Sequence, residues 1–234
     1  MIRSFSLILF TIFFQALMAQ DTINITDNHG LKQGFWRKSD TAGQTVYQGR
    51  FKDGKPTGEF RYFYPNGKLK TIAVVSDNGK RAVTTSYFTN GRKMAAGNYL
   101  NEKKDSIWQF FSESNGTLVS EERYNNGLIE GTSKVFYPDG GSSEMHYYKK
   151  GIRDGLWEQY YTDGMLKLRG AYKGGEKQGQ FKTFFNSGQV MISGQYITGH
   201  QDGTWIYYTE KGEISKREFY NKGTLLKVEE SGIK

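Results

Sequence analysis

The chain repeats itself every 24 residues, and this period limits what it can fold into more than any other feature. Gly34, Gly58, Ala82, Ser106, Gly131, Gly155, Gly179 and Gly203 fall in register, with a single step of 25 between Ser106 and Gly131. A second glycine lies nine residues after each, at Gly43, Gly67, Gly91, Gly140, Gly164, Gly188 and Gly212. In the long unit it lies ten after, at Gly116. Two kinds of punctuation sharing one period describe a tandem array rather than one irregular core. A unit this short cannot bury its own apolar surface and must do so against its neighbours.

One unit shows what the period builds. In the segment from Gly155 to Gly164, side chains alternate along an extended strand, so Trp157 and Tyr161 share one face and Tyr160 takes the other. Thr162-Asp163-Gly164 turns the chain, with glycine free to take positive φ. Met165 to Tyr172 forms the return strand, and Lys173 to Gly179 leads into the next unit. Each unit is therefore expected to be a β-hairpin. Eight of them give an all-β fold: tandem hairpin repeats forming an elongated, twisted, antiparallel single-layer sheet.

Aromatic residues keep the same period. Two residues past the register position stand Trp36, Phe60, Trp108, Trp157, Phe181 and Trp205; Thr84 and Ser133 interrupt this column. The return strands carry Phe51, Tyr99, Tyr124, Tyr148, Tyr172, Tyr196 and Tyr220, with Val75 the exception. Stacked hairpins turn such columns into packed ladders. Gly49, Gly97, Gly170 and Gly194 on the return strands leave room for a neighbouring ring to lie on the backbone. The 16 Tyr, 16 Phe and 4 Trp of the chain thus supply the apolar surface that its sparse aliphatic residues do not.

The chain divides accordingly. Residues 1–19 read as an export signal: Arg3, an apolar run from Phe5 to Leu17, and small residues before Gln20. A retained membrane anchor is the rival, disfavoured because the run is short for a span. Residues 20–29 form a lead-in, 30–226 the array of eight units, and 227–234 a tail. The expected location is the periplasm, the envelope or the outside of the cell.

Several functions are disfavoured by composition. There is no cysteine, which removes disulfides, thiolate catalysis and zinc–thiolate sites. His29, His146 and His200 occupy three different repeat positions, so no repeat-built metal site is expected. The net charge of +8 is spread through mixed-sign clusters such as Arg153-Asp154 and Glu176-Lys177, which read as a solvated rim rather than a nucleic-acid stripe. No phosphate-binding loop, nucleophile elbow or zinc-protease motif is present. Glu158 and Glu213 read as ordinary strand and turn acids. No catalytic residue, cofactor or metal is assigned, and a non-enzymatic protein is expected.

The pattern Gly-Leu-Trp-Glu-Gln-Tyr-Tyr-Thr-Asp-Gly at Gly155–Gly164, continued by Leu-Lys-Leu-Arg-Gly-Ala-Tyr-Lys-Gly-Gly, resembles the MORN repeat. It is most similar to the bacterial variant of YwqK-type, antitoxin-like proteins. Similar stretches are Gly58–Gly67, Gly131–Gly140, Gly179–Gly188 and Gly203–Gly212. The resemblance implies an antiparallel sheet of successive hairpins and a role in scaffolding and protein binding. It leaves glycan or membrane-headgroup binding as an alternative and an antitoxin role as a second one. The expected partner is a protein. The candidate partner-binding aromatics are Tyr148, Trp157, Tyr160, Tyr172, Phe181, Phe184 and Tyr196, each of which also has a packing role in the ladder.

Overall fold

The computed structural model describes residues 22–232; the expected signal segment lies outside the described residues. A short β1 (Ile25–Thr26) precedes eight hairpins. These are β2 (Lys32–Ser39) with β3 (Thr45–Lys52), β4 (Lys55–Phe63) with β5 (Leu69–Ser76), β6 (Arg81–Tyr87) with β7 (Lys93–Leu100), and β8 (Lys103–Phe111) with β9 (Leu118–Asn125). They continue as β10 (Leu128–Phe136) with β11 (Ser142–Lys149), and β12 (Ile152–Tyr160) with β13 (Leu166–Lys173). In the seventh, the outgoing strand is broken at Gln178 into β14 (Glu176–Lys177) and β15 (Gly179–Phe184), paired with β16 (Val190–Ile197). β17 (His200–Tyr208) with β18 (Ile214–Asn221) completes the series, and β19 (Thr224–Glu230) adds one strand, crossing the 226/227 boundary drawn from the sequence. The only helical element among the described residues is a 3-10 turn at Asp77–Gly79.

Strands pair antiparallel in chain order to make one open sheet. The eight hairpins are those expected from the glycine spacing. Within each, the register residue faces the return-strand column: Gly34 opposite Phe51, Ser106 opposite Tyr124, Gly155 opposite Tyr172, Gly203 opposite Tyr220. The 24-residue period is thus a period of strand register.

Two turn types alternate along the array. Inside a hairpin the loop is three residues closed by a glycine, or four in the β8–β9 hairpin: Tyr64 N–H donates to Lys68 O at 2.8 Å, Gly67 N–H to Tyr64 O at 2.9 Å, and Gly67 has φ 76°. That glycine conformation ends a type I turn with a bulge. Between hairpins, except at the β5–β6 junction, where residues 77–80 make the turn, the turn has two residues, both at positive φ, as at Lys150–Gly151 (50° and 81°) and Thr198–Gly199 (47° and 81°). This is the requirement of the type I′ turn, whose twist matches that of the flanking strands.

The junctions also explain the register glycines. At the β3–β4 junction the ladder slips between Gln48 and Arg50, and at β7–β8 between Ala96 and Asn98. The outgoing strand there carries two extra residues in a bulge, and the register residue takes positive φ: 69° at Gly58 and 61° at Ser106. The β5–β6 junction has no slip, running unbroken from Thr71–Ser86 to Ser76–Arg81. Ala82 is not among the positive-φ residues. Its departure from the glycine pattern therefore marks a lost bulge.

Candidate binding face

One row of side chains crosses the sheet on a single face. It runs Trp36, Gly49, Phe60, Ala73, Thr84, Gly97, Trp108, Glu122, Ser133, His146, Trp157, Gly170, Phe181, Gly194, Trp205 and Glu218. Each is paired with the next in the ladder or meets it across a junction bulge. Phe60, Trp108 and Trp205, the most buried large side chains, belong to this row at 2–3% exposure.

The row alternates ring and gap for a steric reason. A Cβ on Gly49 would lie 2.6 Å from Phe60 Cε1, one on Gly97 2.6 Å from Trp108 Cγ, and one on Gly194 2.8 Å from Trp205 Cγ. Carbon atoms need about 3.5–4.0 Å. Each ring therefore lies flat on the glycine backbone of the preceding unit. The two interruptions follow the same rule. Thr84 faces Ala73 rather than a glycine, and Ser133 faces Glu122. Where the ring is lost, so is the glycine. His146 is a third case: a planar side chain in the glycine column, stacked on Trp157 with centroids 6.0 Å apart and planes 7° from parallel.

Beside the row runs the return-strand column. Its rings pack edge-on: Tyr99 on Trp108 at 4.9 Å and 76°, Tyr196 on Trp205 at 5.1 Å and 80°, Phe51 on Phe60 at 5.3 Å and 86°. Edge-to-face contact places positive ring edges on a negative ring face. A cation two residues before the register position closes the stack. Lys32 lies 4.6 Å from the Trp36 ring, Lys104 4.6 Å from Trp108, Lys177 4.9 Å from Tyr196, and Arg153 5.3 Å from Tyr172. Burial lowers the Lys104 pKa while Glu122 opposes the shift.

The structure divides the seven candidate aromatics. Tyr148, Trp157, Tyr172, Phe181 and Tyr196 fall on the aromatic face, linked through His146: Trp157 lies 5.5 Å from Tyr172 and 6.1 Å from Phe181, and Phe181 lies 5.4 Å from Tyr196. Trp157 and Phe181 are buried, while the three tyrosines are half-buried and form its accessible surface. Tyr160 and Phe184 occupy the opposite face by strand alternation. Tyr160 is tied there to Glu158, donating its hydroxyl to Oε2 at 2.6 Å; burial and this bond push its pKa up to about 12.

Acids hold roles that the sequence reading did not assign. Glu158 is not an ordinary strand acid: it is 4% exposed, and Arg169 grips its Oε1 at 2.7 Å through Nη2 and 2.8 Å through Nε. Glu144 accepts from Trp157 Nε1 at 2.9 Å and Gln159 Nε2 at 3.0 Å. Burial acts to raise the Glu144 pKa, but these bonds and neighbouring His146 hold it below the ordinary carboxylate value. The junction rim is likewise organised. Asp154 accepts from Gly174 N–H at 3.1 Å, Gln178 from Thr198 N–H at 2.9 Å, and Asp202 from Lys222 N–H at 3.1 Å. These residues just before the register position cap the next junction turn.

Residues 56–75 and 153–173 match the MORN repeat variant family. Those two stretches carry the MORN repeat variant. The two matched stretches cover the second and sixth hairpins. No curated protein matches the chain. Among solved structures, one titled "Crystal Structure of TarM" aligns over 42% of this chain and 20% of its own length, at 14% identity and a TM-score of 0.30. The chain therefore spans about a fifth of that structure, and a likeness this slight carries no functional argument.

Proposed function

We propose that the chain is an exported, non-enzymatic MORN scaffold that binds a protein partner through its aromatic face. One observation carries the reading: half-buried Tyr148, Tyr172 and Tyr196 line a single face of a sheet that has no second layer among the described residues. Contiguous aromatic surface without a covering layer marks interaction sites in soluble proteins. Tyrosine suits such a surface, being rigid, largely apolar and capped by one polar atom.

Charge reversal on either face tests this. Arg153→Glu with Lys177→Glu alters the aromatic face; Arg123→Glu with Lys134→Glu alters the other. Each variant is used as bait in cross-linking against the native envelope fraction, with circular dichroism confirming the fold. The expected result is loss of one partner with the first pair only. Equal capture by both variants contradicts the assignment of the face. Fractionation of the native host tests export.

The cations over the rings favour one second reading, binding of anionic headgroups or acidic glycans. That association would collapse as ionic strength rises, whereas an aromatic protein interface would lose little. The finer YwqK-type reading places a toxin on the same face, and co-expression rescue of a growth-inhibiting partner would support it.

A further inference from the structure

The row of rings has one empty place. From Phe60 to Trp108 the row reads Ala73, Thr84, Gly97, with no ring between. Phe60 and Trp108 stand on β4 and β8, four strand spacings or about 19 Å apart. On either side of Phe181 the ring centroids are only 6.1 and 5.4 Å apart. The other interruption, at Ser133, is flanked by the bulky Glu122 and His146. At Thr84 the flanking residues are Ala73 and Gly97, and a cleft of about 470 Å³ opens above Ala73 and Thr84.

The cleft has the chemistry of the missing ring. Tyr62 and Tyr99 line it, Ala73 and Thr84 lie in its floor, and Lys80 and Glu102 stand at the junction-turn end. Lys80 occupies the repeat position from which Lys32 and Lys104 cap Trp36 and Trp108. Among the described residues no ring lies beneath Lys80. The floor hydroxyls of Thr71 and Ser86 bond each other at 3.0 Å, so they leave little hydrogen-bonding demand for a polyhydroxylated guest. A floor of small side chains with its Thr71 and Ser86 hydroxyls paired to each other, aromatic walls and a cation lacking a ring favour a flat aromatic guest over a sugar.

We propose that this cleft is a specific subsite for an aromatic side chain of the protein partner, which completes the ladder in place of the ring absent at Thr84. The inference rests on the reading that the aromatic face meets a protein. Tyrosine, tryptophan or phenylalanine from the partner would insert between Tyr62 and Tyr99 beneath Lys80.

The test uses the full chain with methyl-labelled alanine, valine and threonine. Its probes are p-cresol and 3-methylindole, the side-chain analogues of tyrosine and tryptophan, beside cyclohexanol and cellobiose. The aromatic probes should move the Val75, Ala82 and Thr84 methyl resonances by ring currents, saturating in the millimolar range, while cyclohexanol and cellobiose should not. Ala73→Gly with Thr84→Trp restores the ring-on-glycine pair seen at Gly97 and Trp108, and this filled variant should abolish the shifts while keeping the fold. If it does not fold, two milder variants decide. Lys80→Gln should weaken probe binding about two- to fivefold, and Tyr62→Ser should weaken it further. Absence of shifts, unchanged binding in a folded filled variant or in both milder variants, or stronger shifts with cellobiose than with p-cresol would overturn the proposal. None of these results bears on the charge-reversal test, so the subsite can fail while the binding face stands.

Discussion

Gly97→Ala should be among the most damaging single-methyl additions in this chain. The added carbon would sit 2.6 Å from Trp108 Cγ, so the ring must shift by about 1 Å to restore normal contact. Trp108 has little freedom to move. Its Nε1 donates to Asn98 O at 2.9 Å, Tyr99 meets it edge-on at 4.9 Å, and Lys104 caps it at 4.6 Å. Overpacking of this kind costs about 1–3 kcal/mol, and a broken hydrogen bond about 1 more. The easier ordering of alanine in a strand returns about 0.5–1 kcal/mol. The net expectation is a loss of about 2–3 kcal/mol. Trp108→Thr alone should cost about 3–5 kcal/mol. Together the two recreate the natural Ala73–Thr84 pair, and the clash disappears. The double variant should then be no less stable than Trp108→Thr alone, a coupling of about −2 to −3 kcal/mol. Urea unfolding followed by circular dichroism gives the cycle, with hydrogen exchange across β7 and β8 localising the effect in an array that need not unfold in one step. Gly170→Ala is the internal control. Its Cβ would lie 3.3 Å from both Phe181 and Trp157, a contact that small ring adjustments relieve. Additivity within about 0.5 kcal/mol, or equal losses at Gly97 and Gly170, would refute the ring-on-glycine account.

Three further outcomes follow from the same packing. Trp108→Phe should destabilise by about 1–2 kcal/mol more than Trp205→Phe, because the former strands Asn98 O whereas the Trp205 indole N–H is buried without a partner; thermal unfolding compares them. Ser106→Gly should stabilise by about 0.5–1 kcal/mol by relieving a left-handed serine at φ 61°, while Ala82→Gly, where no bulge exists, should destabilise by a similar amount in calorimetry. Burial first, then Arg153, lowers the His146 pKa against the opposing pull of Glu144. The unfolded state therefore binds the proton more readily, and stability should fall as pH drops below about 6.5. The lowered Glu144 pKa acts in the same direction, its contribution being lost as pH falls through the folded value. His146→Phe should flatten the first part of this acid dependence, and melting temperatures at pH 7.5 and 5.5 in wild type and variant would show whether it does.

The hairpins were legible because their signals are local. A glycine nine residues past a register position announces a turn whatever lies elsewhere, and ring positions at fixed offsets announce strand faces. Less legible was what passes between units. The glycine column reads as room for a ring, but only pairing across the junction shows that Gly97 belongs to Trp108 of the following hairpin. The matching exceptions, Ala73 with Thr84 and Glu122 with Ser133, stand 11 residues apart in the chain, so the signal existed in their spacing. Glu158 differs: nothing local separates a solvated strand acid from one held by Arg169 and Tyr160. Asp154, Gln178 and Asp202 looked like part of a mixed-charge rim. Their recurrence one residue before the register position was the available clue to their capping bonds.

Gly97 and Trp108 sit in different hairpins, as do Gly49 with Phe60 and Gly194 with Trp205. The indivisible piece of this protein is therefore a return strand joined to the outgoing strand that follows, rather than the hairpin the eye picks out. Copying or deleting a segment cut within the hairpin loops, near Gly67 or Gly91, keeps every ring with its own bare backbone. The same operation cut at the junction turns can marry a tryptophan to alanine or glutamate. Arrays of this kind can lengthen by duplication without repair only in one of the two phases, and grafted or shuffled versions should be cut in that phase.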